Sequence, residues 1–207
     1  KGKRMSGAEA MKAAGIPTIV YHQRDGLAPI NGSNVITAMG SIQIYAADRW
    51  LKTHDIAAAM TLEAINANMK AYDERVHKIR GFPGSVECAE NIRRITDGSE
   101  LLKRPGKKVQ DAYSLRSTPQ VTGAAKDALK YARKQFEIEL NGVGDNPLFF
   151  PDDKEVLTGA NFQGTPMALP LELLGMSITT VCVLSERRLN RLLNNHLSQG
   201  LPAFLTK

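Results

Sequence analysis

From Met167 to Leu184 the sequence is apolar on nearly every side of a helix, which constrains the chain more than any other feature. Such a helix lies inside a bundle, between subunits or across a bilayer. Pro170, Glu172 and several Ser and Thr residues make it a poor bilayer span, and Ser185-Glu186-Arg187-Arg188 restores polarity at once. Burial in a bundle or between subunits is therefore expected. Helical periodicity recurs elsewhere. Ile36, Met39, Gln43, Ala46, Ala47 and Trp50 share one helix face, and Leu62, Ile65 and Met69 repeat the spacing. Val121, Ala125, Ala128, Ala132, Phe136 and Leu140 form a further stripe, with Lys126, Lys130, Arg133 and Lys134 largely off it. Ser6 and Glu9 make a capping box for a short helix that Gly15 and Pro17 end. Strand-like alternation is weak. Its best candidate is a hairpin of Leu148-Phe149-Phe150 and Val156-Leu157, turning through Pro151-Asp152-Asp153. The expected fold is mainly α, an elongated helical bundle core with one short β-hairpin, and residues 1–207 show no linker that marks off an independent domain.

Composition narrows the classes of function. Hydrophobic residues at 43% and charged residues at 23% describe a chain able to bury a core. The net charge of +6 raises nucleic acid, but aromatic residues are only 6%. The basic clusters Lys103-Arg104, Lys107-Lys108 and Arg187-Arg188 with Arg191 lack interleaved aromatics, so they read as solvated faces; no nucleic-acid or membrane partner is expected. Two cysteines, Cys88 and Cys182, make neither a disulfide framework nor a four-thiolate zinc site, which points to a reducing, cytoplasmic setting. His22, His54, His77 and His196 are widely spaced, so no metal site is expected. Gly142-Val143-Gly144 lacks the third glycine of a dinucleotide fingerprint, and Gly106-Lys107-Lys108 lacks the rest of a phosphate loop. Lys1-Gly2-Lys3-Arg4 precedes no apolar segment of a signal peptide.

Functional groups gather in loops. Gly26 to Asn34 and Asn141 to Pro166 are rich in Gly, Pro and Asn. The densest polar stretch runs from Lys108 to Gln120. If it is helical, Gln110, Tyr113 and Arg116, three residues apart, project along one side. An amide, a phenol and a guanidinium suit an anionic small molecule, since Arg binds a carboxylate through two parallel hydrogen bonds and Tyr moves a proton or steadies an anion. From spacing alone, a polar helix face is the favoured reading.

The same residues carry a resemblance. Lys108-Val109-Gln110-Asp111-Ala112-Tyr113-Ser114-Leu115-Arg116 with Pro119-Gln120 resembles the KVQDPYSLRCQPQ segment of histidine ammonia-lyases. In the same order, Gly26-Leu27-Ala28-Pro29-Ile30-Asn31-Gly32 resembles the GLALLNG loop, Asp145-Asn146-Pro147-Leu148 the DNPL signature, and Gly159-Ala160-Asn161-Phe162 the GGNF segment. Ser185-Glu186-Arg187-Arg188 and Gly200-Leu201-Pro202-Ala203-Phe204-Leu205 continue it, so the likeness to the histidine/phenylalanine ammonia-lyase family covers nearly the whole chain.

That resemblance implies a helical, homotetrameric enzyme with a methylidene-imidazolone electrophile, MIO, formed from an internal Ala-Ser-Gly. It implies that Arg116 holds the substrate carboxylate and that Asn31 lies near the prosthetic group and the substrate amine. Gln110 would support that network, Tyr113 would hydrogen-bond at the reacting centre, Asn146 would contact the substrate or its neighbours, and Phe162 would pack on the ring system. Sites in the family combine residues of more than one subunit.

There are departures. Ala112 stands where the family usually has Pro, and Ala160 where it usually has Gly. No Ala-Ser-Gly occurs; Met5-Ser6-Gly7 is the nearest sequence and sits at a helix cap. The family's lid tyrosine and its acidic site residue beyond GLPAFL also lack counterparts, so the chain is expected to be the central portion of a longer enzyme. Phe162-Gln163-Gly164-Thr165-Pro166 is closer to phenylalanine lyases and aminomutases than to the FHGEP-like form of histidine enzymes, which makes Gln163 a specificity candidate. Three functions follow as expectations: an aromatic amino-acid ammonia-lyase acting on His, Phe or Tyr, a 2,3-aminomutase, or, for the isolated chain, an inert helical scaffold.

Overall fold

A computed structural model describes residues 2–206. Its helices are α1 (Gly7–Ala14), α2 (Ala28–Asn31), α3 (Asn34–Ala64), α4 (Glu74–Lys78), α5 (Pro83–Ile95), α6 (Tyr113–Arg116), α7 (Thr118–Leu140) and α8 (Thr165–Leu193). Strands β1 (Leu148–Phe150) and β2 (Glu155–Leu157) pair antiparallel, Leu148 facing Leu157. The fold is thus mainly α with one hairpin, as the sequence leads one to expect. Contacts gather into two compact units. One comprises the residues up to Asn34 together with Val143–Gln163, and the other Val35–Gly142 together with Gly164 onward.

In the smaller unit, the Ser6 hydroxyl accepts from the Glu9 amide while Glu9 accepts from the Ser6 amide, the capping box that starts α1. Gly15, at φ 68°, closes that helix in the left-handed region where a Cβ would be unfavourable. Arg24 pairs with Asp145 at 2.5 Å and lies over the Phe149 ring at 4.7 Å, fastening the segment before α2 to the hairpin.

The larger unit holds both apolar clusters. One joins Ile44, Ala47 and Leu51 of α3 to Ala125, Leu129, Ala132 and Phe136 of α7 and to Met167, Leu174 and Val181 of α8. The other packs Ala58, Ala59 and Leu62 with Tyr72, Cys88, Ile92 and Leu115. Helices α5 and α7 cross with almost no side chain between them. A Cβ on Gly84 would stand 2.1 Å from the Gly123 carbonyl, and one on Gly123 2.3 Å from the Ser85 amide. Asp127 fixes this crossing by accepting the Gly84 amide at 2.8 Å.

Three expectations need correction. The buried ridge of α3 runs through Thr37, Gly40, Ile44, Ala47 and Leu51, whereas Met39 and Trp50 are exposed. Gln43, Ala46 and Trp50 instead line an open apolar groove of about 600 Å³ with Leu171, Leu174, Gly175, Ile178 and Cys182. Apolar character alone does not separate a packed ridge from its neighbour when both are rich in small residues. Lys126 lies on the buried face of α7, because acidic partners receive it, and Arg188 is buried rather than part of a solvated basic face. Helix α8 is long and apolar enough to cross a membrane by length and composition, and 28% of its apolar window is buried in this chain. Burial within one chain therefore accounts for the inner edge of α8, through Met167, Leu174, Val181 and Leu184, and leaves Leu169, Met176 and Val183 exposed.

Candidate active site

Asp111 determines how the polar stretch folds. Its carboxylate is buried and accepts the Asn68 amide at 2.6 Å, while the Asn68 side chain donates to the carbonyls of Lys108 and Val109 at 3.0 and 3.1 Å. These bonds hold residues 108–111 outside a helix by occupying backbone groups that a helix would need. Ala112 is extended at ψ 156°, and α6 begins only at Tyr113. The expected single helical face from Gln110 to Arg116 is therefore not formed.

Gln110 and Arg116 are nevertheless brought together. Both line a cleft of about 220 Å³ with Asn68, Lys70, Ala71, Val109 and Asp111. Tyr113 and Arg116 occupy the two ends of the single turn α6, and the guanidinium stacks on the Tyr113 ring at 4.5 Å from its centre. Tyr113 is 71% exposed and does not line the cleft itself. Small-molecule sites commonly enclose roughly 300–1,000 Å³, more than this cleft supplies.

The turn that carries Arg116 is pinned from behind. Tyr72 donates its hydroxyl to the Leu115 carbonyl at 2.5 Å, and the Thr118 hydroxyl donates to the same oxygen at 2.8 Å. Arg188 donates to Thr118 at 3.2 Å and to Ser185 at 3.1 Å, and its other contact is His54 Nε2. Burial raises the Tyr72 hydroxyl well above the ordinary phenol range, so it remains a donor. Further along α7, Lys126 pairs with buried Asp55 at 2.9 Å and with Glu87 at 3.0 Å, and Asp55 also accepts from Asn91 and Cys88. Burial opposes the Lys126 charge, but hydrogen bonding and attraction to Asp55, then Glu87, outweigh it and leave its pKa raised.

His54 gives this interior a pH signature. Burial, with repulsion from Arg188 and then Lys126, lowers its pKa from 6.5 to about 3. Between those values the unfolded chain binds a proton that the folded chain refuses. Stability from this group is thus complete above about pH 6.5 and declines as pH falls toward about 3. Thermal unfolding of the full-length protein between about pH 7.5 and pH 4.5 is expected to decline less steeply in His54→Gln than in the parent. Equal slopes would show that His54 is not the cause.

The remaining expected site residues belong to the smaller unit. Asn31 is the last residue of α2 and is exposed. The Asn146 side-chain oxygen accepts the Gly159 amide at 2.8 Å, which ties it to the segment leading into Phe162. Phe162 is 41% exposed, and the Gln163 amide donates to the Ala160 carbonyl at 2.9 Å. Sequence reading gave no role to Asn68, Asp111, Tyr72 or Gln120. Asp111 and Gln120 lie inside the polar stretch itself, but the burial of the Asp111 carboxylate and of Gln120 Oε1 is set by packing that no sequence signal marks. Among the described residues, no group of His, Cys, Asp and Glu is placed to hold a metal ion.

Comparison with known proteins covers the whole chain. The family model described as aromatic amino acid lyase matches residues 1–207. A histidine ammonia-lyase of Alkaliphilus oremlandii (strain OhILAs) is 49% identical over 208 residues, spanning 100% of this chain and 41% of that protein. The solved tyrosine aminomutase of Streptomyces globisporus superposes with a TM-score of 0.88 at 37% identity, over 99% of this chain and 43% of that one. A histidine ammonia-lyase structure from Trypanosoma cruzi gives a TM-score of 0.84 at 34% identity, over 97% and 37%. The chain thus spans about two fifths of the length of the curated relatives it matches.

Proposed function

This chain belongs to the aromatic amino acid lyase family, and on that premise we propose that it supplies the substrate-holding helices of an ammonia-lyase. The reaction is non-oxidative elimination of ammonia from an aromatic L-amino acid to give an α,β-unsaturated acid. The family match along all 207 residues carries this reading, and the cleft that joins Gln110 to Arg116, with Tyr113 stacked on the guanidinium, supports it. Arg116 holds the carboxylate through charge-assisted hydrogen bonds. Gln110 borders the same cleft, and Tyr113, exposed and stacked against the Arg116 guanidinium, is proposed to hydrogen-bond at the reacting centre. Asn31, Asn146 and Phe162 are proposed to act at the amine and ring ends of the substrate, with Gln163 tuning substrate choice. Histidine is the first substrate to try, because the relative at 49% identity is a histidine ammonia-lyase.

The electrophile of such a reaction is proposed to be MIO, which activates a poor amine leaving group. These 207 residues do not provide its precursor. Ser6 in Met5-Ser6-Gly7 is committed to capping α1, so that tripeptide does not fit the role. The residues present fit the carboxylate side of the site, and the electrophile is assigned to another part of a full-length protein. Homotetrameric assembly is proposed to cover the exposed apolar side of α8, and the free thiols Cys88 and Cys182 agree with a cytoplasmic location.

The test is to incubate full-length protein with L-His, L-Phe and L-Tyr and to identify products by absorbance and NMR. An unsaturated acid with free ammonia is expected. Accumulation of a β-amino acid would replace this reading with the second one, a 2,3-aminomutase, which the likeness to the tyrosine aminomutase favours. The 207-residue chain alone is expected to turn over none of the three, acting as an inert helical scaffold.

A further inference from the structure

Among the described residues, two buried side-chain polar atoms have no hydrogen-bond partner: Arg116 Nε and Gln120 Oε1. One is a donor and the other an acceptor. They lie four residues apart, where α6 ends and α7 begins, a spacing that places side chains on adjacent turns when the backbone stays near helical. Ser117 between them, at φ −95° and ψ 10°, keeps it so. Unsatisfied buried groups are costly and rare in native proteins, and a complementary pair on neighbouring turns marks a contact that another state of the site completes. In this structure the Arg116 guanidinium stacks on the Tyr113 ring.

We infer that Gln120 is a positioning residue for Arg116: when substrate is held, Gln120 Oε1 accepts the Arg116 Nε–H, leaving the two terminal nitrogens of the guanidinium to face the carboxylate. This rests on Arg116 being the carboxylate-binding group. An arginine anchored through Nε presents its outer edge in one orientation, which is what two parallel hydrogen bonds to a carboxylate require. Gln120 touches no reacting atom. Its effect falls on substrate binding in ground and transition state alike, and so on KM rather than kcat.

The experiment uses the full-length enzyme with whichever of L-His, L-Phe or L-Tyr it turns over. Gln120→Leu, which keeps the bulk and removes the acceptor, is expected to raise KM by roughly ten- to a hundredfold with kcat changed little. Gln120→Glu, which restores an acceptor, is expected to recover most of the loss, and the thermal midpoints of both should stay near the parent's. If Gln120→Leu does not fold, Gln120→Asn draws the oxygen back by one carbon and is expected to raise KM in the same direction. An unchanged KM, or a joint fall in kcat and thermal midpoint that Gln120→Glu does not rescue, overturns the inference. Arg116→Ala in parallel separates the two failures. If it raises KM while Gln120→Leu does not, the positioning role alone is wrong; if it leaves KM unchanged, the carboxylate assignment fails and the positioning role fails with it.

Discussion

Lys126→Met in the full-length protein is expected to lower folding stability by about 3–5 kcal/mol, read as a fall in the denaturant midpoint with an unchanged slope. The reason is the partner left behind. Asp55 is 1% exposed, and the Lys126 ammonium sits 2.9 Å from its carboxylate. Asn91 and Cys88 donate to the same carboxylate at 2.9 and 3.2 Å, but neither carries a positive charge. Methionine fills the space of the lysine stem and removes only the charge, so the loss measures an unpaired buried carboxylate rather than a cavity. The companion Asp55→Asn/Lys126→Met double variant should regain much of the stability, because removing both members of a buried pair is often close to neutral. A single-variant loss under about 1 kcal/mol would show that solvent reaches Asp55 after all.

Arg116→Ala is the second large effect, and it falls on binding. Removing a charged hydrogen-bonding partner costs about 1.5–3 kcal/mol, roughly ten- to 150-fold in substrate affinity. Folding should change little, because Arg116 ends the one-turn α6 and the backbone of that turn is held through the Leu115 carbonyl by Tyr72 and Thr118. Titrating the full-length enzyme with a non-reacting carboxylate analogue of the substrate checks this directly. Unchanged affinity would remove Arg116 from the site.

Much of the architecture was legible in the sequence. The Ser6–Glu9 cap and the Gly15 stop follow from local hydrogen bonding, and the hairpin at 148–157 follows from two short apolar runs around Pro151-Asp152-Asp153. Long-range partners were not legible. Lys126 reads as a surface lysine until Asp55, 71 positions earlier, is seen beside it. Arg188 reads as one of a basic cluster until His54, Thr118 and Ser185 are found around it. The site shows the same division. The residue types at 110, 113 and 116 suggested an anion site, but the helical face supposed to unite them does not exist. Asp111 draws the backbone to Asn68 instead, and a contact 43 positions apart leaves no periodic trace.

The bare crossing of α5 over α7 has a consequence for how this sequence can drift. When two side chains clash, a neighbouring position usually relieves the strain by becoming smaller. At Gly84 and Gly123 that remedy is already used up, because each position faces backbone and neither can lose another atom. A methyl group gained at either site therefore has no second-site suppressor within the pair, and relief requires the helices themselves to separate. Separation would draw Asp127 away from the Gly84 amide and Lys126 away from Glu87. The two glycines are in this sense locked together with the charges one turn further along α7, and a lineage can exchange them only as a set.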